Sequence, residues 1–353
     1  MRPAAWAPSH SSLPNEGSGP GPPQNPASRG PAAYKSTAGR SRCLSPSGVD
    51  SRIPMTTALT STPLPCTRSE DGIVSIHLAA QDRPVVILDT ALLQALEATL
   101  DAVIATVEET PLRGVILRSD CPRVFVAGAD LVEIDGLDDD ALLDYLAEGS
   151  RIFSKLSSLP CPTVAAIDGA TLGGGLEIAM HCDGLVATRS SSSGKPYPIG
   201  LPECSLGILP GWGGTQMLPA RIDPLTAIRM TIGGKPSTSD DVPEGLIDRF
   251  VDDSSQLISG CVEWLQRHSE TDRTQGTPRC LDHKHPGTVQ AAIEHARNEL
   301  DDTPELRAVL DCMETGLRDG WIEAVKAEQR HLVELRGTEA TRAKLEAFFS
   351  KQR

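Results

Sequence analysis

The order of apolar and polar positions predicts alternating strands and helices from residue 73 onward. Ile73–Leu78 alternates as a half-buried strand does, and leucines recur at helical spacing over about 90–109. Strands alternating with helices predict an α/β fold. Further strands are predicted at 84–88, 114–118, 124–126, 162–167 and 185–188, and further helices at 138–156 and from 176.

After about Ser205 the pattern predicts mainly helices. Residues 269–286 are polar and contain two prolines, which is typical of a linker. We expect the helices beyond this linker to bury apolar faces against the domain or a partner, because Trp321, Val325, Leu332 and Leu335 form one apolar stripe. These helices are predicted at 289–300, 304–317, 321–335 and 338–349.

The first 54 residues differ in composition from the rest of the 353-residue chain. They are rich in Ser, Pro and Gly and poor in aliphatic residues, so they are predicted to be disordered or to come from translation upstream of a true start at Met55 rather than Met1. A transit peptide fits the Arg and Ser content, but Pro and Gly would break its helix. The predicted domains are therefore an extension (1–54), a catalytic domain (55–268) and a linker with a helical C-terminal region (269–353).

Charge and cysteine content narrow the function classes. The formal net charge is −14, and the first 54 residues are net basic, so the acidic excess lies downstream. An acidic body repels nucleic acid and anionic membranes. The nine scattered cysteines contain no C-x-x-C pair, which favours reduced thiols in the cytoplasm over disulfides or a zinc site. With no apolar run approaching about 18 residues, the sequence predicts a soluble, cytoplasmic protein.

Two segments are suited to presenting backbone N–H groups. Gly173–Gly175 connects a predicted strand to a predicted helix, and glycines at a helix N-terminus let amides approach a negative ligand closely. The Gly174 N–H is placed to donate to an oxyanion, and the Ala129 N–H, after Ala127-Gly128, could supply a second donor. The alternative for the glycine triplet is a tight turn required only for packing.

Two further segments each carry one carboxylate. Glu177 lies among apolar residues, where an unpaired charge is costly, although a surface position near the helix start remains an alternative. Glu203 follows Pro202, which restricts the backbone before it. Two carboxylates across a dry pocket can hold one water. Asp130 and Glu133 precede a helical pattern, so capping is their expected role.

The ordered set of these motifs resembles the crotonase (enoyl-CoA hydratase/isomerase) family over about residues 70–265. Val85–Thr90 and the tail from Pro286 to Phe349 further resemble the hydratase half of the multifunctional fatty-acid oxidation alpha subunit, without its dehydrogenase half. The resemblance is carried by Val126–Asp130, Gly169–Glu177 with Cys182-Asp183, Gly200–Glu203 and Pro210–Gln216.

The resemblance implies a role for each matching residue. Glu177 and Glu203 would be the catalytic glutamates, and Ala129 and Gly174 would supply the oxyanion-hole amides. The implied fold is a crotonase-type ββα spiral with a helical C-terminal region. Substrate contacts are expected at Ala127, Asp130, Gly175, Gly200 and Trp212.

The resemblance further implies an enoyl-CoA hydratase of β-oxidation, because family members that hold both glutamates are typically hydratases. The substrate would be a coenzyme A thioester, with no metal and no further cofactor. A homotrimer or hexamer is expected, with a separate dehydrogenase or thiolase subunit as a further partner. The alternatives are an isomerase or another acyl-CoA lyase on the same scaffold, and an inactive assembly module. The preferred acyl chain length stays open.

Overall fold

The computed structural model describes residues 56–59, 62–80, 83–107, 111–269, 276–281 and 284–352. These residues belong to one compact unit. The predicted N-terminal extension and both candidate start residues, Met1 and Met55, lie outside the described residues, as does part of the predicted linker, 270–275 and 282–283.

In the described part of the chain, seven strands form the larger sheet, in the order β1-β2-β3-β4-β6-β8-β11. The first three pair antiparallel, and the remaining neighbours pair parallel. The buried strands of its centre are rich in aliphatic residues, as parallel strands covered on both faces require. The seven strands are β1 (Thr56–Leu59), β2 (Cys66–Ser69), β3 (Ile73–Leu78), β4 (Gly114–Ser119), β6 (Thr163–Ile167), β8 (Gly184–Thr188) and β11 (Arg249–Val251).

A smaller sheet has the order β10-β9-β7-β5 and consists of short strands. The pairs β5–β7 and β7–β9 are parallel, and β10 pairs antiparallel with β9. These strands are β5 (Val124–Val126), β7 (Ala170–Leu172), β9 (Pro198–Gly200) and β10 (Ser237–Thr238).

Eleven helices lie within the described residues, and side-chain caps fix where several begin. Asp89, Asp138 and Thr303 each accept a hydrogen bond from an amide in the first turn of the helix that follows. The helices are α1 (Thr90–Ala105), α2 (Leu131–Gly136), α3 (Asp139–Ser158), α4 (Gly174–Met180), α5 (Gly214–Arg221), α6 (Pro224–Gly233), α7 (Leu257–Arg267), α8 (Pro286–Glu299), α9 (Pro304–Asp319), α10 (Trp321–Arg336) and α11 (Glu339–Gln352). No helix of the described part is long and apolar enough to cross a lipid bilayer.

The chain repeats one unit: a strand of the larger sheet, a strand of the smaller sheet, then a helix. The units β4-β5-α2, β6-β7-α4 and β8-β9-α5 follow one another, with α3 added after α2 and a short 3-10 helix, Glu203–Leu206, before α5. Equivalent strands of successive units pair in parallel, so the units stack as turns of a spiral. This is the predicted ββα spiral.

One strand prediction is wrong. The segment 84–88 forms no strand, and only Leu88 bridges to Ala129. The apolar run there is buried at Val86 and Leu88, and its backbone exchanges hydrogen bonds with residues 127, 128 and 130, but this pairing is too short to form a strand. This segment occupies the place of the smaller-sheet strand in the first turn of the spiral.

The helical C-terminal region covers one side of the spiral. Helix α8 packs on α6, α9 packs on α5, and α10 packs on α3. The predicted stripe of α10 points inward: Val325, Leu332 and Leu335 are buried, and Trp321 packs against the same core. Arg336 at the end of α10 donates hydrogen bonds to the carbonyl oxygens of Ile134 and Leu137. The C-terminal helices are thus tied to the segment that follows Ala129.

Candidate active site

Two backbone amides that have no acceptor among the described residues belong to residues that line one cavity. Ala129 follows β5, and its neighbours Gly128 and Asp130 exchange backbone hydrogen bonds with Leu88, which leaves the Ala129 N–H out of the pairing. Gly174 is the first residue of α4, where an amide has no partner within the helix. Among the described residues, neither N–H has an acceptor within hydrogen-bond distance, and both residues line the cavity.

The turn before α4 depends on glycine at position 173. Gly173 has φ 53°, a left-handed conformation that residues with a Cβ rarely adopt. Its N–H donates to the Gly200 carbonyl oxygen at 2.9 Å, and its carbonyl oxygen accepts from Leu176 and Glu177. These bonds fix the turn that carries the next amide, that of Gly174, a residue that lines the cavity.

Glu177 lies in the first turn of α4 and is almost completely buried, at 1% exposure. Its Oε1 accepts hydrogen bonds from the amides of Trp212 at 2.8 Å and Gly214 at 2.9 Å. Both donors belong to the Trp212–Thr215 loop, whose last two residues are also the first two residues of α5. The alternative of a surface charge is wrong, because the carboxylate lies inside the protein and is fixed by that loop.

Glu203 begins the 3-10 helix after β9 and faces the same cavity. Its Oε2 is buried and, within the described residues, has no hydrogen-bond partner. Its Oε1 lies so close to Gly173 that a Cβ added there would come within 2.7 Å of it. Glu203 therefore lies next to the turn that presents the Gly174 amide.

The different surroundings of the two carboxyl groups favour different protonation states. Burial raises the pKa of Glu177 to about 7, while the loop amides act in the opposite direction by stabilising its charge. Burial also raises the pKa of Glu203 well above its ordinary value, and the negative charges of Glu177 and Glu328 raise it further. One ionised and one protonated carboxyl group at a single cavity can act as a base and an acid.

The cavity itself is apolar and small. Its volume is about 80 Å³, and Trp212, Leu146 and Leu332 contribute walls from three separate segments. Trp212 packs directly behind the turn at Gly173-Gly174, since a Cβ at Gly174 would lie 2.5 Å from the indole ring. The other apolar side chains that line the cavity are Leu131, Ile134, Leu206, Ile208 and Leu209.

The cavity includes some of the predicted substrate contacts and not others. Ala127 and Trp212 line it, whereas Asp130, Gly175 and Gly200 do not. Asp130 caps α2, accepting from the amides of Val132 and Glu133, and pairs with Arg83 at 2.7 Å. Glu133, also expected to cap, instead accepts from the amide and hydroxyl of Thr90.

The two glycines outside the cavity serve the packing around it. A Cβ at Gly175 would lie 2.3 Å from the Val126 carbonyl oxygen, and one at Gly200 would lie 2.8 Å from the Cα of Pro236. At both positions two backbone segments approach each other so closely that only glycine fits.

A third buried carboxylate, Glu328 of α10, is absent from the sequence predictions. It is 0% exposed and accepts hydrogen bonds from the amides of Gly213 and Thr215. Burial and the charge of Glu177 raise the pKa of Glu328 to about 8, while its hydrogen bonds oppose this change. A signal was present: Glu328 interrupts the apolar stripe of α10 between Val325 and Leu332.

A family model described as enoyl-CoA hydratase/isomerase matches residues 69–279. The chain belongs to the enoyl-CoA hydratase/isomerase family. The matched region contains both amides and the carboxylates of Glu177 and Glu203. Glu328 and Leu332 lie beyond it, so two residues at or next to this site come from outside the region that defines the family.

Named relatives agree with this membership. The fatty acid oxidation complex subunit alpha of Shewanella halifaxensis is 30% identical over 293 residues, which is 80% of this chain and 40% of that protein. The chain thus spans less than half the length of this curated relative. The predicted resemblance to the alpha subunit of a fatty-acid oxidation complex is confirmed.

Solved structures of the family share the fold. An enoyl-CoA hydratase from Bacillus anthracis is 25% identical with a TM-score of 0.50, covering 84% of this chain and 96% of that one. The human mitochondrial delta3-delta2-enoyl-CoA isomerase is 22% identical with a TM-score of 0.57, covering 80% and 94%. The predicted crotonase-type fold is confirmed. Since a hydratase and an isomerase both share it, the fold alone does not assign the reaction.

Proposed function

We propose that the protein is an enoyl-CoA hydratase that adds water syn across the double bond of a 2-trans-enoyl-CoA in β-oxidation, giving a 3-hydroxyacyl-CoA. One observation carries the proposal. Glu177, held by two loop amides, and Glu203, whose Oε2 has no partner in the described part of the chain, line one cavity with two amides that have no acceptor there. An isomerase needs no water beside the double bond, whereas a hydratase needs a base and an acid there.

The two amides activate the substrate. The thioester oxygen accepts hydrogen bonds from Ala129 and Gly174, which draws electrons from C3 and stabilises the negative charge that develops on the oxygen. The N-terminal end of α4 adds a favourable dipole at Gly174. Each such donor stabilises a transition state by about 3 kcal/mol.

The two carboxyl groups then act as base and acid in the addition of water. Glu177 accepts a proton from the water as its oxygen bonds to C3, and Glu203 delivers a proton to C2. Water oxygen and proton arrive from the same side, because both carboxyl groups line one cavity. Burial of Glu203 and the nearby charge of Glu177 keep the proton on Glu203 until it is transferred.

The rest of the proposal concerns substrate and assembly. The apolar walls accept the acyl chain, and a cavity of about 80 Å³ favours a short one. Coenzyme A enters as part of the substrate, and the mechanism uses no metal or further cofactor. A cytoplasmic location, a homotrimer or hexamer, and a separate dehydrogenase or thiolase partner stay predictions.

Product analysis tests the proposal. Purified protein is incubated with 2-trans-enoyl-CoA and 3-enoyl-CoA esters of several chain lengths, and the products are weighed by mass spectrometry. A hydratase adds one water to the 2-enoyl ester. Conversion of the 3-enoyl ester without a mass change identifies an isomerase. If calorimetry shows that the protein binds neither ester, it is an assembly module. Either result overturns the proposal.

A further inference from the structure

Four consecutive amides of one loop are divided between two buried carboxylates. The Trp212 and Gly214 amides donate to Glu177 Oε1, at 2.8 and 2.9 Å. The Gly213 and Thr215 amides donate to Glu328, at 2.6 Å to Oε2 and 2.8 Å to Oε1. The loop therefore lies between α4 on one side and α10 on the other, with each carboxylate holding alternate residues.

Glu328 has no other visible role that explains its burial. A completely buried carboxylate costs free energy unless donors compensate for its lost hydration. Here three donors do so, since the Thr215 hydroxyl also contacts Oε1. All three belong to Gly213 and Thr215, so the compensation ties Glu328 to this loop alone.

Neighbouring side chains hold the same loop in place. His181 Nε2 donates to the Trp212 carbonyl oxygen at 3.0 Å, and burial lowers the pKa of His181 to about 4, so the ring is neutral. The Trp212 indole N–H donates to the Leu146 carbonyl oxygen at 3.0 Å. The loop is thus fixed from α3, α4 and α10, and Glu177 takes its orientation from it.

We propose that Glu328 is a positioning residue for the reaction: it fixes the loop Trp212–Thr215, and through that loop it orients Glu177 toward the reacting water. This inference rests on the proposed hydration. Glu328 itself does not line the cavity, so it acts through the loop. Displacing a reacting group by about 1 Å lowers turnover about 100-fold.

Glu328→Gln tests the proposal with little change in size. The glutamine NH₂ replaces one oxygen and faces an amide that also donates, so the loop shifts. We expect kcat to fall about 100-fold, while KM stays within about threefold because the apolar walls and the two oxyanion amides remain. Kinetics at wild-type level, or an effect confined to KM, would overturn the positioning role.

The pH profile separates positioning from a purely electrostatic effect. The titratable groups around the loop within the described residues are Glu177 on α4, His181 directly after α4, Tyr145 on α3, Glu203 in the 3-10 helix and Cys312 on α9. A displaced loop deprives Glu177 of its amide donors, which moves the acid limb of kcat/KM to higher pH. If Glu328 acted only through its charge, removing that charge could not raise the pKa of Glu177, so an acid limb that stays in place or moves to lower pH would overturn the proposal.

Two further variants keep the experiment decisive. Glu334→Gln makes the same chemical change on the same helix, at a side chain that is 70% exposed, and should leave the kinetics unchanged. Thr215→Val removes one donor to Glu328 Oε1 while keeping both amide contacts. If Glu328→Gln does not fold, Thr215→Val takes its place with a smaller fall in kcat, and an unchanged kcat there would refute the role.

Hydrogen exchange of the loop provides a readout without turnover. Deuterium uptake of the peptide containing residues 211–216 should be slow in the wild type and in Glu334→Gln and faster in Glu328→Gln. Wild-type protein that exchanges as predicted but hydrates no enoyl-CoA disproves the proposed function and leaves the positioning of Glu177 intact. Equal exchange in all three proteins disproves the positioning role itself.

Discussion

Gly173 and Glu203 are in direct contact: a Cβ at Gly173 would lie 2.7 Å from Glu203 Oε1. The turn that aims the Gly174 amide into the cavity therefore also forms the surface on which one of the carboxyl groups rests. A change in that turn alters two parts of the site at once, which makes Gly173 a sensitive position for testing the arrangement.

Gly173→Ala should lower both stability and activity. The positive φ of 53° with ψ of −128° costs about 1–3 kcal/mol for a residue with a Cβ, and the added methyl group displaces Glu203. We expect the free energy of unfolding, measured by urea denaturation, to fall by about that amount. Enoyl-CoA hydration should fall by more than the loss of folded protein explains.

The control is Gly233→Ala. This glycine lies in α6, with nothing within 4 Å of an added Cβ and without a positive φ, so stability should be unchanged or rise by about 0.5–1 kcal/mol. Equal behaviour of the two variants would contradict the account of the turn.

Glu203→Gln should abolish most hydration and leave the fold intact. An amide cannot donate the proton to C2, and a positioned acid contributes about 10²–10⁴-fold to a rate. The raised pKa means that folding disfavours the charged form of Glu203, so a neutral amide should keep the melting temperature the same or raise it. Glu244→Gln, on the surface, is the matched control. Turnover of Glu203→Gln close to that of wild type would remove Glu203 from the mechanism.

The pH dependence should show two limbs. Glu177 acts in its ionised form, so kcat/KM should fall about tenfold per pH unit as the pH drops below about 7, the raised pKa of this residue. Glu203 acts in its protonated form, so kcat/KM should fall again at high pH, above its raised pKa. Steady-state rates across both ranges check this. A profile that stays level well below pH 7 would contradict the role of Glu177.

Trp212→Phe should shift the chain-length preference toward longer acyl groups. The indole lines the cavity and packs against Gly174, so a smaller ring enlarges the space behind the thioester. The ratio of kcat/KM for longer and shorter 2-enoyl-CoA esters should rise relative to wild type. Trp264→Phe makes the same change in a separate core cluster away from the cavity and should leave the ratio unchanged. Identical ratios in all three proteins would show that Trp212 does not limit the acyl chain.

Regular hydrophobic patterns allowed much of the fold to be predicted from the sequence. The predicted strand at Ile73–Leu78 has the same bounds as β3, and the four predicted C-terminal helices each correspond to one of α8–α11. Short strands were missed, including β10, which has only two residues, because such segments are too short to display a period. These short strands form because they pair with strands of neighbouring turns of the spiral, and a pattern over a few residues cannot show such distant pairing.

The site was predictable to the extent that its residues lie in short motifs. Ala129, Gly174, Glu177 and Glu203 were selected that way, and the structure brings all four to one cavity. Glu328 was not, because no motif surrounds it and its partners are more than 100 residues earlier in the chain. Only its position within an apolar stripe indicated a buried carboxylate.

The contact between Gly213 and Glu328 joins residues 115 positions apart, and this separation has a consequence for biosynthesis. At about 5–20 residues per second, the ribosome adds Glu328 on the order of ten seconds after Gly213. During that interval the nascent chain already contains Glu177 and Glu203, but it lacks α10, whose Glu328 holds the Trp212–Thr215 loop. Maturation of the centre therefore waits until α10 has been synthesised.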